Sequence, residues 1–222
     1  MQHIVTLTAM VLEAADSVFG KAMAGWKEFT ETAEAKPKIT DLRLNFFLEN
    51  FWGQKGAIQS QDSIYLNLPK VLNFCFRWVL KISFLSISPF KGTYSHISVQ
   101  DIGAFTAGVL LKGKKHTGKV YYPSGHLRET LSELAAAVGR GVGREIKGVP
   151  VPEAAVIQSM HAFVPEFVAK GSANLNELAD AGFFKTFEDT WQQSRIFNEV
   201  VGRDPITTEA WFKQVAQAFA KI

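Results

Sequence analysis

The chain has 222 residues, 47% hydrophobic and 20% charged, which is enough apolar matter for a sizeable core and excludes a disordered tail. A net charge of +3 leaves no electrostatic footprint for nucleic acid. The single cysteine, Cys75, excludes an internal disulfide framework and a cysteine-based zinc site, and the five histidines show no HxxxH spacing for a helical metal pair.

The opening MQHIVTLTAMV has no basic stretch followed by a long apolar run, so no signal peptide is expected. Residues 3–8, HIVTLT, are short, apolar and β-branched and read as a buried strand. Phe19, Met23, Trp26, Phe29 and Ala33 recur at helical spacing, and Lys36-Pro37 ends that helix. Residues 39–44, ITDLRL, read as the next strand. A strand–helix–strand order with a crossover implies parallel strands and an α/β sheet. Residues 71–90 have the length of a membrane span, but Arg77 and Lys81 sit in their middle. Each central charge costs about 2.5 to 3.5 kcal/mol on insertion, so a span is disfavoured.

Residues 101–111 read as a helix with Asp101 near its start, where a carboxylate suits the helix dipole, and Gly113 as its stop. A short strand follows at 119–122. Leu127, Leu131, Leu134, Ala135 and Val138 form one helical face, with Gly139 and Gly141 ending that helix. Residues 145–149 read as a strand, and Pro152 suits the first turn of a helix. One or two further helices are expected within 164–187. The last helix starts after Thr207 as N-cap and buries Phe212, Val215, Phe219 and Ile222.

Two glycine patterns are decoys. GKKHTGKV at 113–120 has the spacing of a phosphate loop, but Val120 stands where a hydroxyl is needed and a helix precedes it. A solvated basic turn is the expectation, and Lys112, Lys114 and Lys115 belong to it. GRGVG at 139–143 follows a helix instead of a strand and reads as a helix stop.

Several segments, in order, resemble the NmrA-like family, an atypical branch of the short-chain dehydrogenase fold. They are HIVTLT, SVFGKAMAGWKEF around Lys21, and DLRLNFFLENF with Arg43, Phe47, Leu48, Glu49 and Asn50. They continue with SHISVQDIGAF, GKVYYPSG and VGRDPITTEAWF. The likeness is nearest to the HSCARG-like NADPH sensors, which share the LENF-type turn and a loop like Gln54-Lys55 here. It covers the chain except residues 70–89. That segment is expected to be an unmatched insertion, either translated intron or a lineage-specific helical or lipid-contacting insertion.

The resemblance implies an α/β fold: the C-terminal part of a Rossmann-like NAD(P)-binding domain with a smaller, mainly helical substrate subdomain. Residues 1–222 would then be a single NmrA-like domain lacking its N-terminal dinucleotide-binding half. It implies NADP as cofactor of the parent protein, held by Thr8, Lys21, Phe47, Leu48, Glu49 and Asn50. Lys21 would reach the nicotinamide ribose, the 47–50 turn would lie along the nicotinamide, and Thr8 would edge the crevice. No catalytic residue and no metal ligand is assigned. The tyrosine usual four residues before the lysine is Ser17 here, whose hydroxyl is far less acidic than a phenol. The implied activity is redox sensing with regulatory protein contacts or a homodimer. The alternatives are an NAD(P)H-dependent quinone or small-carbonyl oxidoreductase, and an inactive fragment that binds no cofactor. No Gly-rich strand–turn–helix unit for the pyrophosphate occurs in the sequence. The uncovered edge of the 3–8 strand would be an aggregation hazard. The expected partners include neither nucleic acid nor membrane, and the expected location is cytoplasmic.

Overall fold

The computed structural model describes residues 3–32, 34–66, 93–151, 153–160 and 164–222. The 70–89 segment, the span candidate at 71–90, Ala33 and Pro152 lie outside these residues. In chain order the strands are β1 (Ile4–Ala9), β2 (Ile39–Leu44), β3 (Phe46–Phe47), β4 (Ser63–Leu66), β5 (Thr93–Tyr94), β6 (His96–Ile97), β7 (Val120–Tyr121), β8 (Glu129–Thr130) and β9 (Lys147–Pro150). The helices are α1 (Val18–Ala22), α2 (Ala24–Glu31), α3 (Lys55–Gln61), α4 (Val99–Lys112), α5 (Leu131–Val142), α6 (Glu153–Met160), α7 (Glu166–Asp180), α8 (Lys185–Ser194), α9 (Ile196–Val201) and α10 (Thr208–Val215). The chain divides into two compact units: Met1–Phe47 with Ser95–Leu127 and Phe184–Ile206, and Leu48–Tyr94 with Arg128–Phe183 and Thr207–Ile222.

The first unit is built on a parallel sheet in the order β1-β2-β7. Its two strand faces differ in chemistry. Leu42 and Leu44 point into a core with Ile102, Phe105 and Val109 of α4, Trp191 of α8, and Phe197 and Val200 of α9. Full burial of each such side chain contributes roughly 1.5–3 kcal/mol. Residues two apart share a strand face, so Asp41 and Arg43 fall on the opposite side, and β1 brings Thr6 and Thr8 beside them. The start of α4 is fixed by Ser98, whose hydroxyl accepts from Asp101 N, and its end by Gly113 at φ +53. Asp101 is fully buried. Its Oδ2 accepts from Ile206 N at 2.8 Å and its Oδ1 pairs with Arg203 at 2.7 Å, which ties the segment after α9 to the start of α4.

In the second unit β4 pairs in parallel with β9, and β5 pairs antiparallel with β8. Helix α5 opens with a capping box in which Thr130 and Glu133 exchange hydrogen bonds. Helix α10 packs on α5, and Phe212 joins Phe51, Trp211 and Phe219 in an aromatic cluster with ring centroids about 5 to 6 Å apart.

Several elements differ from the sequence expectation for local reasons. Strand β1 is not buried: Ile4 and Leu7 are 48% and 56% exposed, because β1 is the edge of its sheet among the described residues. The expected 19–33 helix is two helices broken at Met23, and Trp26 and Phe29 lie exposed on α2 instead of in a core. Leu127 is exposed and precedes α5. Gly139 and Gly141 do not end α5, which runs on to a left-handed Gly143. Gly141 answers to packing instead: a Cβ there would lie 2.3 Å from the Cβ of Phe212. Helix α10 starts after Thr207 as expected, the Thr207 hydroxyl accepting from Ala210 N, but Ile222 is 94% exposed.

Candidate functional site at the strand ends

Open parallel sheets bind ligands beyond the carboxyl ends of their strands. In the first unit those ends converge on one polar network. After β1 the chain makes a short 3-10 turn, Met10–Glu13, that delivers Glu13. Arg43 is the penultimate residue of β2, and Tyr122 directly follows β7. Arg43 donates from Nε to Asp41 Oδ2 at 2.9 Å and from Nη1 to Glu13 Oε1, and its Nη2 lies 3.6 Å from Glu31. Tyr122 donates to Glu13 Oε1 at 2.7 Å, and Lys27 donates to Glu13 Oε2 at 3.1 Å. Thr6 and Thr8 both donate to Asp41 Oδ1, at 2.9 and 2.7 Å.

Burial and charge compete in this network. Burial alone would raise the Glu13 carboxyl, but the Tyr122 hydrogen bond together with Lys27 and Arg43 holds it below the ordinary carboxylate value. Burial works against the Arg43 charge, and Asp41 and Glu13 outweigh it, so its pKa is raised. Burial, then the hydrogen bond to Glu13 and its charge, push the Tyr122 phenol well above its ordinary value. The one phenol in this network is thus committed as a hydrogen-bond donor and is a poor proton source.

The sequence-predicted residues fall as follows. Thr8, Lys21 and Phe47 belong to the first unit, and Leu48, Glu49 and Asn50 to the second. Thr8 is half-buried near the end of β1, its proton given to Asp41, which leaves its oxygen as an acceptor. Lys21 is exposed on α1, and its ammonium makes no hydrogen bond or ion pair among the described residues. An ammonium with three uncommitted donors suits ribose hydroxyls. Phe47 is half-buried in β3 and packs on the core beneath α4. Strand β3 is set by its parallel pairing with β6, Phe46 opposite His96 and Phe47 opposite Ile97. Leu48 opens a 3-10 turn, Leu48–Gln54, with its side chain wholly buried, which leaves its backbone as the group it can offer. Glu49 and Asn50 are half-buried on that turn. Ser17, four residues before Lys21, is the N-cap of α1: its hydroxyl accepts from Gly20 N at 2.9 Å.

Sequence reasoning singled out Arg43 but missed Glu13, Lys27 and Tyr122 as its surroundings. One signal was present. ITDLRL carries opposite charges two residues apart in a strand buried at every position, and two such groups on one face must pair. A pocket of about 400 Å³ in the same unit was also not foreseen. It is lined by His126, Gln192, Arg195, Asn198 and Asp204 among others, and by none of Thr8, Lys21 or Phe47. Arg195 there takes a left-handed conformation at φ +52 between α8 and α9.

No protein-family model and no curated protein matches the sequence. Solved structures do match. A nucleoside-diphosphate-sugar epimerase from Staphylococcus aureus is 16% identical, with 96% of this chain and 65% of that one aligned at a TM-score of 0.67. An NADPH-dependent quinone oxidoreductase from Escherichia coli, complexed with NADPH, is 18% identical over 97% of this chain and 66% of that one, also at 0.67. A triphenylmethane reductase from Citrobacter, complexed with NADP(H), is 17% identical over 97% and 66%, at 0.60. At these identities the likeness shows the fold: α/β and Rossmann-like. The chain spans about two-thirds of the length of these structures.

Proposed function

We propose that this chain is an NmrA-like NAD(P)-binding protein that senses the reduced cofactor through the nicotinamide end. The observation that carries this reading is the pairing of an uncommitted Lys21 ammonium with a site that has no available phenol. Ser17 caps a helix where a reductase of this superfamily usually has its tyrosine, and Tyr122 is locked on Glu13. A site so arranged can hold a nicotinamide ribose but has no ready proton for a carbonyl oxygen. Thr8 and Phe47, in the same unit, are assigned to cofactor contact with Lys21. The choice of NADP as the cofactor is supported by neighbours of the same fold that hold NADPH or NADP(H).

A second reading is an NAD(P)H-dependent quinone reductase. It is favoured by the likeness to the quinone oxidoreductase, and hydride transfer to a quinone needs no tyrosine acid at this position. Two measurements separate the readings. NADPH binding that fails on Lys21→Ala supports the cofactor assignment. NADPH oxidation that depends on added benzoquinone, with turnover lost in the same variant, replaces sensing by catalysis. Absence of any NADPH binding refutes both.

A further inference from the structure

The opposite end of the same sheet has a separate character. The three parallel strands enter from one side, and the segments leading into β2 and β7 carry lysines. Lys36 and Lys38 precede β2, Lys112 closes α4, and Lys114, Lys115 and Lys119 lie on the turn into β7. The turn is tied to the entry of β2, since Gly118 N donates to Ile39 O at 2.8 Å. His116, at the centre of this turn, is 4% exposed. Burial first, and then the neighbouring Lys119, Lys112 and Lys115, hold its pKa below the ordinary value. The carboxylates that the same segments bring are Glu34 and, from α9, Glu199.

Apolar side chains stand beside the lysines. Leu111 is 88% exposed, Leu110 47% and Val120 38%. A polyanion such as nucleic acid uses the lysines but has no use for an exposed leucine next to them. A bilayer with anionic headgroups uses both, phosphates and carboxylates meeting the ammonium groups and the leucines entering the acyl boundary. We propose that this end of the sheet is a docking surface for anionic phospholipid bilayers, with Leu111 as the inserting side chain and Lys114, Lys115 and Lys119 as the headgroup contacts. Such peripheral contact needs no spanning helix, and no helix among the described residues is long and apolar enough to cross a membrane. Lys112 is kept out of the test because its ammonium donates to the carbonyls of Glu199 and Val200 and so holds structure.

The test is co-sedimentation of the 222-residue chain with phosphatidylcholine vesicles, alone and with about one-third phosphatidylserine. The chain is expected to bind only the mixed vesicles and to release at high salt. The double variant Lys114→Glu/Lys115→Glu should weaken binding at least about 25-fold, since each lysine near such a surface contributes about fivefold. Leu111→Ser should weaken it several-fold with an unchanged near-UV spectrum. No binding to the mixed vesicles overturns the proposal. So does binding that falls with Lys114→Glu/Lys115→Glu but is indifferent to Leu111→Ser and is matched on heparin, because that describes a polyanion surface.

Discussion

Strand β6 holds the Phe46–Phe47 pair in place, and His96 is the residue through which acid would release it. His96 is 6% exposed, its ring 5.7 Å from that of Phe46, and burial pushes its pKa down to about 3. The unfolded chain protonates the same imidazole near its ordinary value of about 6.5. A depressed folded pKa means that the stabilisation is fully present above the unfolded value and is lost as pH falls below it. At pH 5 the folded histidine is still neutral and the unfolded one almost fully charged, so His96 alone removes about 2 kcal/mol. Urea unfolding at pH 7 and pH 5 should therefore show midpoints on the order of 1 M apart from this source. His96→Leu cannot titrate and should lose about 2 kcal/mol of that pH dependence, whatever its own baseline stability. A residual slope is expected from His116, which is also buried and depressed. If His96→Leu and the parent chain lose equal stability between pH 7 and pH 5, the burial argument for β6 is wrong.

Other substitutions probe the two units separately. Arg43→Met strands the Asp41 and Glu13 carboxylates and should cost about 3–5 kcal/mol by chemical denaturation, while an unchanged midpoint would mean that the network is solvated. Gly141→Ala forces a methyl against Phe212 and should cost about 1–3 kcal/mol, measured in the same way. Glu129 is raised first by burial, against the opposing Thr208 hydrogen bond. A raised carboxyl stabilises fully below the ordinary carboxylate value of about 4.3 and loses that contribution as pH rises through its folded value. Glu129→Gln should thus lose less stability than the parent between pH 4 and pH 7, and a parallel pH profile would contradict this.

How much was legible follows from the range of each signal. The parallel entry of 3–8 and 39–44 was readable because a crossover helix between two apolar β-branched runs leaves little choice of direction. The stop at Gly113 and the cap at Thr207 are local, and the 101–111 and closing helices were readable to within a few residues. Gly141 misled because its reason, the Cβ of Phe212, lies 71 residues away in sequence. Trp26 and Phe29 misled because helical spacing reports one apolar face but not whether anything covers it. The polar network was hidden for the same reason as Gly141. Glu13 meets Arg43 across 30 residues and Tyr122 across 109, and no local pattern carries such a contact. The basic end of the sheet was masked by a total charge of only +3, since the total hides where the lysines gather.

The central claim is that Lys21 holds the nicotinamide ribose while the sequence offers no Gly-rich cradle for the pyrophosphate. Calorimetric titration of the 222-residue chain with NADPH and, separately, with reduced nicotinamide mononucleotide tests both halves together. The expected result is saturable binding of the two ligands at similar strength, about millimolar and so worth roughly 4 kcal/mol, with Lys21→Ala abolishing it. Binding of NADPH far tighter than of the mononucleotide would contradict the missing cradle. No binding of either, or binding that survives Lys21→Ala, would contradict the assignment of Lys21.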